Sequence, residues 1–532
     1  MSDADHPSLS PQAGLFSNLR VVSLGTLLSR VLGMARDIGM ASLFGAGTVL
    51  DAFILAFRLP NLTRQLFGEG ALTTAFLPIF VRELENEGKE AARATLSAVS
   101  LALGMLLFAL IIIGEVISLG ILWCVDVSDS TRLLIELFMI FWPYMLFICM
   151  SALFCAALHS LKQFLWPALV PVVLNIIWLI GIAFAYWNFQ GDPHRARFVA
   201  ACLTAAGMFQ MLLPAFIVQR NGVGWTSHWR AGWKHVQEVI NAIIPVLAGL
   251  SILHINSILD SVMAWSLAQP ESGEPAWCEA IGIDPMLEPG TATALYIGQR
   301  MFQFPLGVFG LALGTVLYPV LTRHALRGET GLLRKELSRG LRLGLAVAIP
   351  ASVGLAILAS PITDLLFRHG QFTSDDARLS AQMIAVYGLG VWIYIMLTIL
   401  NRAFYAMNDR MTPLRFGFVA LVANLILNVV LVWSLGGKGL AIASVIATAL
   451  QVILTTYRLH VRIEGLPWKS MCIVALLSAV VAAIMGLACY GTLNAFPESE
   501  SIIDRGLRLL VPLAVGVGSY GLLGWWVLLR RI

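Results

Sequence analysis

The chain has 532 residues, of which 58% are hydrophobic and only 12% are charged, and its net charge is +4. Because a soluble globular protein carries about 25% charged residues, this composition excludes an ordinary soluble protein. Together with a mean hydropathy of +0.81, it predicts an all-α, polytopic integral membrane protein. The small net charge says little, because in a membrane protein the charge of each loop is more informative than the sum. We expect no nucleic-acid partner.

Apolar windows long enough to cross a bilayer follow a polar N-terminal tail, residues 1–14, which we expect to be disordered. They predict about 14 transmembrane helices. The window at 50–84 contains Pro60 and Pro78 and predicts a bend, because proline removes a backbone donor. The windows lie near residues 20–44, 50–84, 95–124, 132–158, 164–187, 197–219, 237–268, 291–322, 341–367, 379–406, 413–435, 438–460, 469–492 and 506–529.

Lys and Arg concentrate in every second loop and at the C-terminus, whereas the alternate loops are acidic or mixed. The loop with Arg195 and Arg197 is a partial exception. The positive-inside rule then predicts that both termini lie in the cytoplasm, and an even number of helices agrees. The polar insert at residues 269–290 falls on the outer side, and we expect no chemistry from it.

Two parts of the chain resemble each other. The stretch LTTAFLPIFVR at 72–82 resembles LGTVLYPVLTR at 313–323, at an offset of 313 − 72 = 241 residues. Pro167 and Pro413 form a second match, at an offset of 413 − 167 = 246 residues. The offsets predict two six-helix lobes, 15–222 and 235–462, in a parallel pseudo-two-fold repeat with a site between them. Residues 466–532 supply two further helices.

Charged residues interrupt the predicted spans, and such charges normally face a protein-lined, wet cavity. Arg30 and Arg36 are six positions apart, so they point about 120° apart on a helix. The arginines either form internal ion pairs or snorkel to an interface, or they bind an anion. Guanidinium groups bind phosphate oxygens bidentately and stay charged when desolvated, which favours a polyanion such as pyrophosphate. The candidate anion-binding residues are Arg30, Arg36, Arg64 and Arg300, and Asp37 and Asp51 are candidate ion-pair partners of these arginines.

A second polar cluster is predicted in the later spans. Asn424 and Asn428 share one helix face because they are four residues apart, and Asp260 and Ser444 lie in neighbouring predicted helices. Their oxygens could coordinate a hard cation. Interhelical hydrogen bonding explains the same residues without an ion, and the sequence leaves both interpretations open.

The motifs of soluble catalysis, GxxxxGKS/T, HExxH and GxSxG, are absent from the sequence. We therefore predict a transporter rather than an enzyme, with no cofactor. Without a P-loop, we expect no direct ATP-driven transport unless another subunit supplies the ATPase. We therefore expect membrane potential or an ion gradient to drive transport.

Several stretches together resemble one family. They are SRVLGMARD at 29–37, FGAG at 44–47, FRLPNLTRQLFGEGALTTAFLPIF at 57–80 and QRMFQFPLGVFGLALGTVLYPVL at 299–321. In these stretches the chain is similar to the MurJ (MviN) lipid II flippases of the MOP exporter superfamily, and the helix count extends the resemblance over essentially the whole chain.

The resemblance implies a flippase that moves the undecaprenyl-pyrophosphate-linked disaccharide-pentapeptide of peptidoglycan across the bacterial inner membrane. It implies cavity arginines at Arg30, Arg36, Arg64 and Arg300, functional carboxylates at Asp37 and Asp51, and a lipid-tail groove in the last two helices. Gln303 departs from an acidic position of some members. A sodium site in some members implies Asp260, Asn424, Asn428 and Ser444 here. We expect a monomer that contacts membrane lipid and, transiently, proteins of cell-wall synthesis.

Two alternatives remain at this level. One is an exporter of another polyprenyl-linked oligosaccharide or of a small molecule, although cation export would favour carboxylates where arginine dominates here. The other is a scaffold for the cell-wall machinery that transports nothing.

Overall fold

The computed structural model of the protein describes residues 11–271, 273–497 and 499–528. Within these ranges the backbone is helical almost throughout, and the only β pairing is an isolated bridge between Ala268 and Leu287. Eleven of the described helices are long and apolar enough to cross a membrane. The predicted all-α, multi-span fold class is confirmed, while the count of about 14 spans stays a prediction.

The chain divides into two compact units. The first contains the described residues up to Leu43 together with Ala52–Ser251. The second contains Phe44–Asp51 and the described residues from Ile252 onward. The predicted lobes, residues 15–222 and 235–462, stay a prediction, and residues 1–10 of the predicted disordered tail lie outside the described residues.

The first unit is built from α1 up to Leu43, α2 from Ala52 onward, α3 to α8 and the beginning of α9. Its helices are α1 (Pro11–Phe44), α2 (Thr48–Thr63), a π-helical segment (Arg64–Ala71), α3 (Leu72–Asn86), α4 (Gly88–Cys124), α5 (Asp129–Ser160), α6 (Leu165–Asn188), α7 (Asp192–Arg220), α8 (Trp229–Gly232) and α9 (Lys234–Ser266). Phe76, Phe80 and Tyr144 are fully buried in its core. By contrast, Phe108 and Ile113 on α4 are exposed, as expected for side chains that face lipid.

The second unit is centred on α14, whose most apolar window is 67% buried, whereas that of α18 is only 11% buried. Its helices after α9 are a 3₁₀ turn (Trp277–Ile281), α10 (Thr291–Pro305), a π-helical segment (Leu306–Gly310), α11 (Leu311–Leu326), α12 (Thr330–Ile357), α13 (Ala359–Leu366), α14 (Ser374–Ala406), α15 (Met411–Leu435), α16 (Gly437–Arg462), α17 (Trp468–Asn494) and α18 (Ile502–Leu528). Tyr387 and Phe404 of α14 lie in the core, so α14 is the central helix and α18 a peripheral one.

Each unit contains a helix interrupted by a π-helical segment. These segments begin at Arg64 and Leu306, which are 306 − 64 = 242 residues apart. That spacing matches the offset of the internal sequence repeat. Both segments lie next to prolines. Pro60 on α2 and Pro78 on α3 flank the first segment, and Pro305 at the end of α10 directly precedes the second. π-Helical turns of this kind often occur at functional sites.

Candidate functional site

Arg36 and Asp37 form an ion pair on α1. The Arg36 guanidinium donates from Nε and Nη2 to Asp37 Oδ1 at 3.0 and 2.6 Å, and from Nη1 to Asn175 Oδ1 of α6 at 3.2 Å. The Asn175 amide in turn donates to the Ser29 carbonyl at 3.1 Å. The Arg36 and Asp37 side chains are only 11% and 5% exposed, so this charged pair is held inside the first unit by a polar group from a second helix.

An aromatic surface supports the same guanidinium. Arg36 Cζ lies 4.2 Å from the centroid of the buried Trp178 ring, and Trp178 packs against Phe57 with centroids 5.2 Å apart. A cation–π contact is worth about 2 kcal/mol when it is desolvated. Arg36 is therefore oriented by a carboxylate, an amide and an indole before any ligand arrives.

Arg30 and Arg64 have different surroundings. Arg30 is exposed on α1, in agreement with the different direction that its spacing from Arg36 predicts. Arg64 begins the π-helical segment, is partly buried, and donates from Nε to Asn61 Oδ1 at 3.1 Å.

Asp51 belongs to the second unit, where its carboxylate caps α10. Oδ2 accepts from the Gly290 backbone N–H at 2.9 Å, and Oδ1 accepts from the Thr293 N–H and hydroxyl at 2.7 and 2.6 Å. The first N–H groups of a helix have no partner within the helix. Asp51, which is 1% exposed, satisfies them and places a negative charge at the positive end of the helix dipole.

The segment Phe44–Asp51 packs closely against this helix start. Gly290 has φ +81°, and a Cβ there would collide with the Ala46 carbonyl oxygen. The Glu271 N–H donates to Thr48 Oγ1 at 3.2 Å, so the polar insert 269–290 also contacts the segment. A glycine is required at position 290 both by its backbone conformation and by the absence of space.

Arg300 lies on the same α10 that Asp51 caps and is partly buried. Its neighbour Gln299 accepts from the Ser257 hydroxyl at 2.9 Å and donates to the Tyr387 hydroxyl at 3.2 Å. Gln303 is exposed. The resemblance implies an acidic residue at this position in some members of the family. Of the predicted substrate residues, Arg30, Arg36, Asp37 and Arg64 thus belong to the first unit, and Asp51 and Arg300 to the second.

The four residues of the predicted sodium site lie together in the second unit. Asn428 Nδ2 and Ser444 Oγ each donate to an oxygen of Asp260 at 2.7 Å. The Asn424 side chain lies 3.0 Å from Asn428 and 3.1 Å from Ser444. Turning that amide brings its nitrogen to 2.6 Å from Asn256 Oδ1. All four predicted residues are buried.

The donor set fits a hard cation. Asn428 Oδ1 is buried and has no hydrogen-bond partner among the described residues, and it lies beside a buried carboxylate. Oxygen atoms of carboxylates, amides and hydroxyls are the ligands that hard cations prefer. The part of the chain that the structure describes contains no group of three or more His, Cys, Asp and Glu residues that could hold a metal ion.

Three residues that contact the candidate site residues, Asn175, Trp178 and Thr293, were not predicted from the sequence. Asn175 is the one asparagine within the apolar run LWPALVPVVLNIIWLIG, and a lone amide at membrane depth is a signal that could have been used. Trp178 follows it by three residues, on the same helix face. Thr293 carries no such signal, because its role depends on Asp51, which is 242 residues away in the sequence.

The family model described as "Lipid II flippase MurJ" matches residues 40–503. The "Probable lipid II flippase MurJ" of Vibrio cholerae serotype O1 is 31% identical over 517 residues, which cover 94% of this chain and 94% of the relative. The "Lipid II flippase MurJ" of Burkholderia cenocepacia is 29% identical over 457 residues, 83% of each chain.

Two solved structures share the fold. One, described as "Lipid II flippase MurJ, inward closed conformation", has a TM-score of 0.74 at 23% identity and covers 94% of this chain and 97% of its own. An inward-facing multidrug resistance MATE family transporter of the MOP superfamily has a TM-score of 0.65 at 13% identity, covering 82% of this chain and 94% of its own. Both likenesses concern the arrangement of helices.

Proposed function

This chain belongs to the MurJ family of lipid II flippases, and from that premise we propose that it moves lipid II from the cytoplasmic to the outer leaflet by alternating access. It is a multi-pass membrane transporter and not an enzyme. The observation that carries the proposal is the family match over most of the chain. The predominance of arginine among the charged residues of the first spans also favours an anionic head group over a cationic drug.

Arg30, Arg36, Arg64 and Arg300 supply the positive charge for the pyrophosphate in this proposal. Guanidinium groups suit it because they stay ionised when desolvated and bind two oxygens at once. Asp37 and Asn175 orient Arg36. Asp51 acts indirectly, because it fixes the start of α10, the helix that carries Arg300.

The polyprenyl chain of the substrate stays in lipid along α17 and α18. These two helices pack on each other and on α12, and they expose large apolar side chains such as Leu476, Leu487 and Leu522. An apolar lipid tail gains about 0.8 kcal/mol for each CH₂ that leaves water, so the tail remains in the membrane while only the head group crosses.

Membrane potential or a sodium gradient resets the cycle. One elementary charge moved through 100 mV is worth about 2.3 kcal/mol, which is enough to bias two conformations of a transporter. Asp260, Asn424, Asn428 and Ser444 would hold the sodium ion, which supplies a positive charge beside the buried carboxylate.

Sodium should raise the thermal unfolding midpoint of the purified protein above the value in equal concentrations of potassium or choline chloride. A ligand at about 100 times its Kd stabilises a folded protein by about 2.7 kcal/mol. Asp260→Asn keeps the shape of the side chain but removes its charge, so it should abolish the sodium-specific increase. The measurement is a thermal shift series for both proteins in the three salts.

Asp375→Asn is the matched control, because its side chain is 83% exposed and lies outside the cluster. It should keep the sodium response of the unaltered protein. If Asp260→Asn showed the same sodium-specific shift as the unaltered protein, this cluster would not be the sodium site. Its role would then be interhelical hydrogen bonding.

Complementation tests the proposed function. The chain, expressed in a bacterium depleted of its own lipid II flippase, should restore growth and normal cell shape. An exporter of cationic compounds would instead raise drug resistance and leave the depleted cells to lyse, and that outcome would exclude lipid II as the substrate.

A further inference from the structure

A basic cavity lies between α12 and α17 in the second unit. Its volume is about 480 Å³, within the range of about 300–1,000 Å³ that small-molecule sites occupy. The two helices pack against each other beyond it through Ala346 and Val474, which are both buried. The polar side chains that line the cavity are Arg334, Lys335, Ser338, Arg342 and Ser470.

The lining carries three positive charges and no carboxylate. Arg334, Lys335, Ser338 and Arg342 recur at helical spacing, so they lie on one face of α12. Arg342 Nη1 donates to Ser470 Oγ at 3.2 Å, and Arg334 Nη1 donates to the Glu464 carbonyl at 3.1 Å. Neither Arg334 nor Lys335 forms an ion pair with any described carboxylate, so no described carboxylate neutralises these two charges.

Ser338 gives evidence for a bound ligand that does not depend on these charges. It is only 3% exposed, and its Oγ has no hydrogen-bond partner among the described residues. An unsatisfied buried hydroxyl costs about 1–3 kcal/mol, a cost that an acceptor in the cavity would remove. The N-terminus of α17 adds the positive end of the dipole of a 27-residue helix.

The position of the cavity along α12 and α17 predicts that it lies at the depth of lipid head groups. Its residues occupy the polar end of α12 and the first turn of α17, just before the apolar part of each span. Trp468, half-exposed at the start of α17, is the residue type that marks the membrane–water interface. The positive-inside rule assigns this Lys- and Arg-rich face to the cytoplasm.

We propose that this cavity binds the phosphate of an anionic lipid in the cytoplasmic leaflet. Arg334, Lys335 and Arg342 attract and bind the phosphate oxygens, Ser338 Oγ donates a hydrogen bond to it, and the acyl chains extend along the exposed face of α17. Basic pockets between transmembrane helices on this side of a membrane are suited to anionic head groups. The proposal is independent of the transported substrate.

Native mass spectrometry of the purified full chain, titrated with phosphatidylglycerol or phosphatidylcholine, tests it. The protein should retain a phosphatidylglycerol molecule more tightly than phosphatidylcholine. Each lost positive charge near the membrane surface weakens anionic lipid binding about fivefold, so the triple variant R334Q/K335Q/R342Q should bind phosphatidylglycerol at least about tenfold more weakly. Ser338→Ala should weaken it about threefold or more.

A matched variant, R410Q/R415Q/R458Q, removes three exposed charges from the same predicted side without touching the cavity, and it should bind phosphatidylglycerol like the unaltered protein. Ser338→Ala tests the site even if the triple variant misfolds. It removes only an unsatisfied hydroxyl, so its thermal unfolding midpoint in phosphatidylcholine should equal that of the unaltered protein. Equal losses in both triple variants would overturn the proposal. So would saturation of the cavity by millimolar inorganic phosphate with no preference for phosphatidylglycerol, because the site would then serve a soluble anion.

Discussion

Replacing Asp51 with alanine should lower the free energy of unfolding of the second unit by about 2–4 kcal/mol. The substitution removes the acceptor of the Gly290 N–H and of both Thr293 donors. These groups lie in a buried region that water does not reach, so they lose their hydrogen bonds outright. Asp51→Asn keeps one acceptor oxygen and should cost about half as much. The thermal unfolding midpoint of the purified variants measures both.

Asp375→Ala is the control for this comparison, because it removes an exposed carboxylate whose one described ion-pair partner is Arg378, one turn away. Such surface pairs contribute about 0–1 kcal/mol. Gly290→Ala should reproduce the destabilisation without altering any charge, since a Cβ collides with Ala46. An Asp51→Ala protein of normal stability that fails to transport would instead mean that Asp51 acts directly on the substrate.

Removing the guanidinium group of Arg64 or Arg300 should lower the transport rate ten- to a hundredfold while the protein still folds and inserts. A charge-assisted hydrogen bond contributes about 1.5–3 kcal/mol, and 1.4 kcal/mol corresponds to a factor of ten. Arg64→Ala and Arg300→Ala should therefore fail to support growth of flippase-depleted cells. Arg→Lys at either position should retain part of the activity, because the charge remains but the bidentate geometry does not.

Arg378→Ala provides the comparison, since that side chain is 69% exposed and its one described carboxylate partner is a surface residue. It should support growth fully, and membrane extracts should contain all variants in equal amounts. Full growth with both Arg64→Ala and Arg300→Ala would refute the assignment of a pyrophosphate site to these arginines.

The spans themselves could be predicted well from the sequence, because bilayer thickness imposes an apolar length that is visible in any window. The window at 469–492 corresponds to α17 at Trp468–Asn494. The window at 95–124 ends with α4 at Cys124, but α4 begins earlier, at Gly88, because a helix can continue into water where hydropathy carries no signal. The π-helical segment Arg64–Ala71 was not predicted, since the choice between α and π hydrogen bonding has no residue pattern of its own.

Residues of the candidate site could be predicted only where a charged or polar side chain interrupts an apolar span, because burying such a group in a membrane is energetically costly. A charge such as Arg36 or a cluster such as Asp260 with Asn428 is conspicuous in an apolar span. The role of Asp51 was not predictable, because a carboxylate that binds a ligand and one that caps a distant helix look the same in sequence. Its contact with Gly290 joins residues that are 239 positions apart, and the identity of its partner is a property of the fold.

Translocation of lipid II by the purified protein in sealed vesicles, with and without a membrane potential, tests the central claim most directly. The unaltered chain should move lipid II to the opposite leaflet, a potential should change the rate, and Arg300→Ala should transport ten- to a hundredfold more slowly than the unaltered chain. Equal translocation by the unaltered chain and Arg300→Ala, or none by either in vesicles that contain folded protein, would contradict the account.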